Sequence, residues 1–383
     1  MHDFRMSLLS TAICAFLLTF LPTISFAGSA KNIIIMVPDG MGLADVTAAR
    51  TFKNGPNGAP LSFETLEHIG YQRSHSANSL VTDSAAAASA WACGEKFNNN
   101  EICYHGDGRP VRPSILELAK KAGKSTGLVV TDGITEATPA AFGAHVPTRD
   151  CRQEIGRQYL ETTGVDVLLG GGRKEFSTGT PDPCGTKGDL LLSAGKKGYV
   201  LVTDREELKK AVAGGSRKLL GLFQARGMTP EVERQAASLE PRLPEMTAAA
   251  LTVLEKDRDG FFLLVESSLV DKANHRNNFP MQFGEILAFD EAVATVKNWL
   301  MADRKRADTT LLIVVADHET GGFTITGPDS SLPPPGGTLE TAWTGKGHSA
   351  VDTMVWSEGP GSKNLARALN NTDLYRVMAE ALR

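Results

Sequence analysis

The sequence predicts an α/β protein with a mostly parallel central sheet and helices on both faces. Three observations predict it. Several apolar runs are short and continuous rather than alternating, as strands buried on both faces are. Helix-period segments alternate with those runs, and strand followed by helix, repeated, builds a parallel sheet. Three of the runs end in acidic residues, at the carboxyl ends where open α/β sheets bind their ligands.

The elements follow in chain order. "MHDFRMSLLSTAICAFLLTFLPTISFAGSA" has Arg5 near its start, an apolar stretch from Met6 to Leu21, and small residues Ser25 and Ala27 spaced for cleavage after Ala27. Residues 1–27 therefore read as a secretory signal peptide, and residues 28–383 as a single unit with no membrane anchor. The strand-like runs are "NIIIMV" (32–37), "TGLVVT" (126–131), "VDVLLG" (165–170), "YVLV" (199–202), "GFFLLV" (260–265) and "TLLIVV" (310–315). Between them lie "SILELAKKAG", "DREELKKAVA", "PEMTAAALTVLEKD" and "FGEILAFDEAVATVKNWLMAD", and "TDLYRVMAEAL" follows them, all with helical spacing. "SSLPPPGG" (330–337) is a loop, since Pro and Gly bar regular structure there. Residues from about 152 to 243 are less regular and read as a cap or edge region.

Of the 383 residues, 42% are hydrophobic and 22% charged, a globular composition. The formal net charge of −4 argues against nucleic acid as a specific partner. Cleavage would remove Cys14 and leave Cys93, Cys103, Cys151 and Cys184, an even set that suits two disulfides in an exported protein, periplasmic or secreted. Four cysteines allow three pairings; proximity favours Cys93 with Cys103 and Cys151 with Cys184. No CxxC pair is present, which disfavours a zinc-cysteine cluster.

The runs at 32–37, 260–265 and 310–315 end at Asp39, Glu266, and Asp317 with His318. Carboxylates gathered in one crevice repel and desolvate one another unless a cation lies among them. "VDKANH" puts Asp271 and His275 four residues apart, on one face if the segment is helical, and "GKGHSA" offers His348. Mixed Asp/His sets suit zinc. Asp132 also ends a run and reads as a structural turn residue. In "VTDSAAAASAWACG" the alanines predict a helix beginning near Ser84. Asp83 or Ser84 is then an N-cap, or Ser84 is a nucleophile at a helix end that favours anions. An unactivated serine needs a base or a metal. A pair of zinc ions about 3.5–4 Å apart would serve an in-line displacement.

"VPDGMG", "VTDSAAAASAWACG", "EATPAAFGAHVPTR", "VESSLVDKANH", "ADHETGG" and "GKGHSA" resemble, in the same order, the motifs of the alkaline phosphatase family. The resemblance spans nearly all of the chain from about Asn32 onward. It implies a three-layer sandwich and a secreted phosphomonoesterase with two Zn2+ and one Mg2+. By motif position Ser84 would become phosphorylated. Asp39, Asp317 and His318 would hold one zinc, and Asp271, His275 and His348 the other. Asp39, Thr138 and Glu266 would hold the magnesium, and Arg149 would clamp two phosphate oxygens. Thr138 and Arg149 lie in loop-like sequence and come from the resemblance alone. Glu136 stands where relatives commonly carry Asp or His, and Lys272 follows Asp271 where relatives vary; both would tune metal choice and phosphate release from just outside the ligand set. Substrates would be small phosphate monoesters, and a homodimer is left open.

Three other readings compete. A sulfatase would need a C/S-x-P-x-R context, and Ser84 is followed by alanines. A phosphodiesterase of the same superfamily usually lacks the third-metal carboxylate, so Glu266 and Thr138 favour the monoesterase. A non-catalytic secreted metal- or phosphate-binding protein would not need the full ligand set.

Overall fold

One ten-stranded sheet organises the molecule. In the computed structural model, which describes residues 28–329 and 331–383, its strands are β1 (Asn32–Pro38), β2 (His68–Arg73), β3 (Ser125–Gly133), β4 (Val167–Gly171), β5 (Val200–Val202), β6 (Leu219–Leu222), β7 (Phe261–Ser267) and β8 (Thr310–Val315). Four short strands follow: β9 (Glu319–Thr320), β10 (Phe323–Gly327), β11 (Glu340–Trp343) and β12 (His348–Ser349). They make two small ribbons, β10 with β11 and β9 with β12. β13 (Thr353–Glu358) and β14 (Ala368–Asn370) return to the large sheet, whose order is β14-β2-β13-β8-β1-β7-β3-β4-β6-β5. Within it only the two pairings of β13, with β2 and with β8, are antiparallel. The segment read as a signal peptide lies outside the described residues.

The six apolar runs became the strands β1, β3, β4, β5, β7 and β8. Along β1 side chains alternate between two cores, as a pleated strand requires. Ile33, Ile35 and Val37 enter one and Ile34 and Met36 the other, and all five are fully buried. The first core is covered by α2 (Ser84–Cys93), α3 (Ile115–Lys121), α4 (Ala137–Gly143), α5 (Arg152–Gln158) and α12 (Thr372–Ala381). The second is covered by α1 (Leu43–Asn54), α8 (Leu243–Leu254) and α10 (Phe279–Met301). The remaining helices are α6 (Leu190–Lys196), α7 (Arg205–Ala213), α9 (Leu269–His275) and α11 (Arg304–Thr309). Residues 152–243 supply β4, β6 and β5, one outer edge of the sheet. No helix among the described residues is long and apolar enough to cross a membrane.

Both short-range cysteine pairs are disulfides. Cys93–Cys103 ties the end of α2 to the loop after it, and Cys151–Cys184 anchors the residue before α5.

Candidate metal and phosphate site

The centre of the sheet brings the acidic strand ends together. β1 lies between β7 and β8, with Val37 in register with Glu266 and Met36 with Val314. Asp39 follows β1, Glu266 is inside β7, and Asp317 and His318 follow β8, so the parallel register alone gathers them at one edge. Asp39, Asp317 and His318 can present ligand atoms within 4.8 Å of one another. His318 Nε2 is 3.1 Å from Asp317 Oδ2 and 3.8 Å from Asp39 Oδ1. Asp271, His275 and His348 form a second such group. Asp271 and His275 share one face of α9, at 3.2 Å, and His348 Nε2 lies 3.6 Å from Asp271 Oδ1. His348 does not sit in an open loop: it begins β12 and pairs with Thr320 of β9. The rings of His318 and His348 stack with centroids 3.5 Å apart, joining the two groups.

Each histidine is aimed by its other nitrogen. His348 Nδ1 meets the Thr82 carbonyl oxygen at 2.9 Å, His275 Nδ1 meets that of Lys346, and His318 Nδ1 meets Thr320 Oγ1 at 3.2 Å. The Thr320 hydroxyl in turn donates to Asp271 Oδ1 at 2.7 Å, so it accepts from His318. With Nδ1 protons engaged, the Nε2 lone pairs face the carboxylates, the orientation that metal-binding histidines adopt.

The residues present fit cations. Asp39 Oδ1, Asp317 Oδ2, Glu266 Oε2 and Thr138 Oγ1 are all buried without a hydrogen-bond partner. Orphaned buried acceptors of this kind are costly, and a cluster of them asks for an ion. Burial, followed by the charges of Asp317, Asp271 and Glu266, pushes the Asp39 carboxyl well above the usual carboxylate range. Burial and then Asp317 push Glu266 up to about 8. Burial would also raise Asp271, but the His275 hydrogen bond and the histidine charges outweigh it and hold it low. The cavity lined by Asp39, Ser84, Thr138, Glu266 and Asp271 leaves about 20 Å³, room on the scale of an ion or a water.

Ser84 is the first residue of α2 and is 5% exposed, with Oγ 3.1 Å from His318 Nε2. Asp83 is the N-cap: its Oδ1 accepts from the Ala86 amide at 3.0 Å. The cap reading of this stretch therefore falls to Asp83, and Ser84 Oγ is left out of the cap and turned toward His318. Arg149, between α4 and α5, donates through Nη1 to Asp83 Oδ2 at 3.3 Å and lines the same cavity.

A family model for alkaline phosphatase matches residues 30–335. The chain belongs to the alkaline phosphatase family. It is 38% identical to the repressible alkaline phosphatase of Saccharomyces cerevisiae over 352 residues, 82% of this chain and 61% of that one. The chain thus spans about three fifths of that relative's length. To the alkaline phosphatase of Escherichia coli it is 32% identical, over 92% of this chain and 86% of the relative. The solved alkaline phosphatase of an Antarctic bacterium superposes with a TM-score of 0.79 at 29% identity, covering 93% of this chain and 98% of that one. A variant of the Antarctic enzyme has been solved with magnesium bound.

All ten residues expected at metals or phosphate in this alkaline phosphatase family member converge here, with Glu136 and Lys272 beside them. Thr138 corrects the loop reading: it lies in α4, whose first turn accommodates Pro139 because amides there lack intrahelical partners. Asp132 does more than shape a turn. Its Oδ1 accepts from the Gly133 amide at 2.8 Å, while Oδ2 faces Lys272 at 3.8 Å. Thr320 and Arg152 escaped the sequence reading, and Asp83 was read there only as a cap. Thr320 bridges the two histidine-carboxylate groups, Asp83 holds Arg149, and Arg152 meets Glu136 at 2.5 Å. "ADHETGG" contained the signal for Thr320, a hydroxyl two residues past a ligand on an extended strand; nothing local marked Arg152.

Proposed function

We propose that the chain is an exported, metal-dependent phosphomonoesterase that hydrolyses small phosphate monoesters through a phosphoserine at Ser84. The observation that carries this reading is Ser84 Oγ at the α2 N-terminus, beside one of two Asp/His groups and above orphaned carboxylate oxygens. Asp39, Asp317 and His318 would hold one Zn2+, Asp271, His275 and His348 a second, and Asp39, Thr138 and Glu266 one Mg2+. Cations bound there neutralise the carboxylates and supply Lewis acidity toward phosphoryl and ester oxygens. The chain's own groups do the rest. The N-terminus of α2 favours the dianionic phosphoryl group. Arg149 holds two of its non-bridging oxygens through the planar fork. Ser84 Oγ forms a bond to phosphorus as the ester oxygen leaves with the alcohol, which carries away the serine's proton. Water then cleaves the Oγ–phosphorus bond, restoring the hydroxyl and releasing inorganic phosphate.

Magnesium in the Antarctic variant supports that ion for the third set. The two disulfides support export to an oxidising compartment. Residues 28–383 are taken as one catalytic unit. The test is hydrolysis of chromogenic phosphate mono- and diesters by the protein supplied with zinc and magnesium. Rapid monoester turnover with slow diester turnover is expected. Faster diester turnover would make it a phosphodiesterase, and turnover of neither a binding protein.

A further inference from the structure

Glu136 stands between two arginines. It caps α4 and lines both the phosphate cavity and a second cavity of about 360 Å³ behind it. Arg149 borders the first cavity, and Arg152 borders the second. Glu136 Oε1 is 2.5 Å from Arg152 Nη1, a close ion pair, whereas Oε2 is 3.9 Å from Arg149 Nη2, beyond hydrogen-bond reach. Arg149 already gives its Nη1 to Asp83 at 3.3 Å. Asp83 takes one of the two Nη1 hydrogens and leaves the other for phosphate. Were Glu136 to close on Nη2 as well, its carboxylate would compete with a phosphate for the second arm of the fork.

We propose that Arg152 is a positioning residue that draws Glu136 away from Arg149 and so keeps one arm of the phosphate clamp free. The inference rests on the phosphomonoesterase reading of the site. Arg152 is well placed for a fixed pull. It opens α5, and the preceding Cys151 is fully buried and bonded to Cys184. The Arg152 side chain keeps 36% of its exposure, so pairing it with Glu136 carries a modest cost in desolvation. The competing idea is that the pair is only a strut between α4 and α5. A strut would matter for melting and not for phosphate.

The experiment is a double-mutant cycle on the holoenzyme with Arg152→Gln, Glu136→Gln and both together. Inorganic phosphate binding is read by titration calorimetry, with KM, kcat, zinc and magnesium content and melting temperature measured alongside. Losing part of one charged hydrogen bond predicts phosphate binding weakened by about three- to tenfold in Arg152→Gln. KM should rise by more than kcat changes, and Arg152→Lys should recover most of the affinity. In the Glu136→Gln background, Arg152→Gln should cost nothing further. Unchanged phosphate affinity in Arg152→Gln overturns the proposal. An equal loss in both backgrounds also overturns it, because Arg152 would then attract phosphate by its own charge. If the parent hydrolyses monoesters and these results fail, only this inference falls. If the parent neither hydrolyses esters nor binds phosphate, the functional reading falls with it.

Discussion

Asp83 divides its two carboxylate oxygens between a helix cap and the Arg149 guanidinium, while Ser84 beside it turns Oγ toward His318. Ser84→Ala removes one oxygen and leaves the cap untouched, so the variant should fold, melt and bind metal like the parent. Its monoester turnover should fall by several orders of magnitude, since the covalent route is gone. Phosphate trapped by acid quenching should be found on Ser84 of the parent by mass spectrometry; its recovery on another residue would refute the mechanism. Arg149→Ala should lower kcat/KM for monoesters by about ten- to a hundredfold, the worth of a charged hydrogen bond of 1.5–3 kcal/mol. Diesters, with one oxygen blocked and one charge fewer, should lose clearly less; equal losses would mean Arg149 supports the site in general. At this scale legibility divided by mechanism. Asp39, Glu266, Asp317 and His318 could be read from residues alone because each ends a buried strand. Thr138 and Arg149 needed the family motifs, since one hydroxyl or guanidinium in an unremarkable stretch carries no local pattern. Arg152 needed coordinates, because its partner lies across two helix starts.

Between elements, the pair His145–Glu117 joins the loop after α4 to the first turn of α3 at 3.1 Å. Burial would lower the His145 imidazole, but the hydrogen bond and charge of Glu117 outweigh it and hold it above 6.5. Burial would likewise raise Glu117, and the same pairing holds it below 4.5. A raised histidine stabilises the fold fully below its unfolded value and loses that contribution as pH climbs through its folded value. A depressed glutamate contributes above its unfolded value and loses it as pH falls. The pair should therefore help most between about pH 4.5 and 6.5. His145→Gln should cost roughly 0.5–1 kcal/mol near pH 6 and progressively less toward pH 8, by urea unfolding at matched metal concentrations. A constant difference across that range would contradict the assignment. The same level explains which strands could be read. β1, β3, β7 and β8 are continuous apolar runs because neighbours flank them and helices cover both faces. β2 buries Gly70 and Gln72 and exposes Ile69 and Tyr71, the reverse of an apolar-in pattern; β6 is interrupted by Gly221, and β14 is three residues with only Leu369 buried.

For the whole molecule, cations held among the buried acceptors at the sheet centre would add to its stability. Removing zinc and magnesium by exhaustive chelation should abolish turnover and lower the melting temperature together, by about ten degrees if the sites were held near a thousand times their Kd. Melting unchanged after verified metal loss would show that the carboxylate cluster is tolerated without ions. The sheet order carries a different consequence, one of timing. β1 is made early, yet the side-chain bonds that fasten Asn32 reach Phe261 and Thr310, 229 and 278 residues further along. Until those segments emerge, the strand that will sit at the middle of the sheet has two open edges and no neighbour on either. A nascent chain must carry "NIIIMV" bare through most of its synthesis, which is when such strands find the wrong partners. Fragments ending before β8 should accordingly aggregate rather than rest half-folded. The closing of the centre, rather than the growth of the edges, should set the pace of refolding.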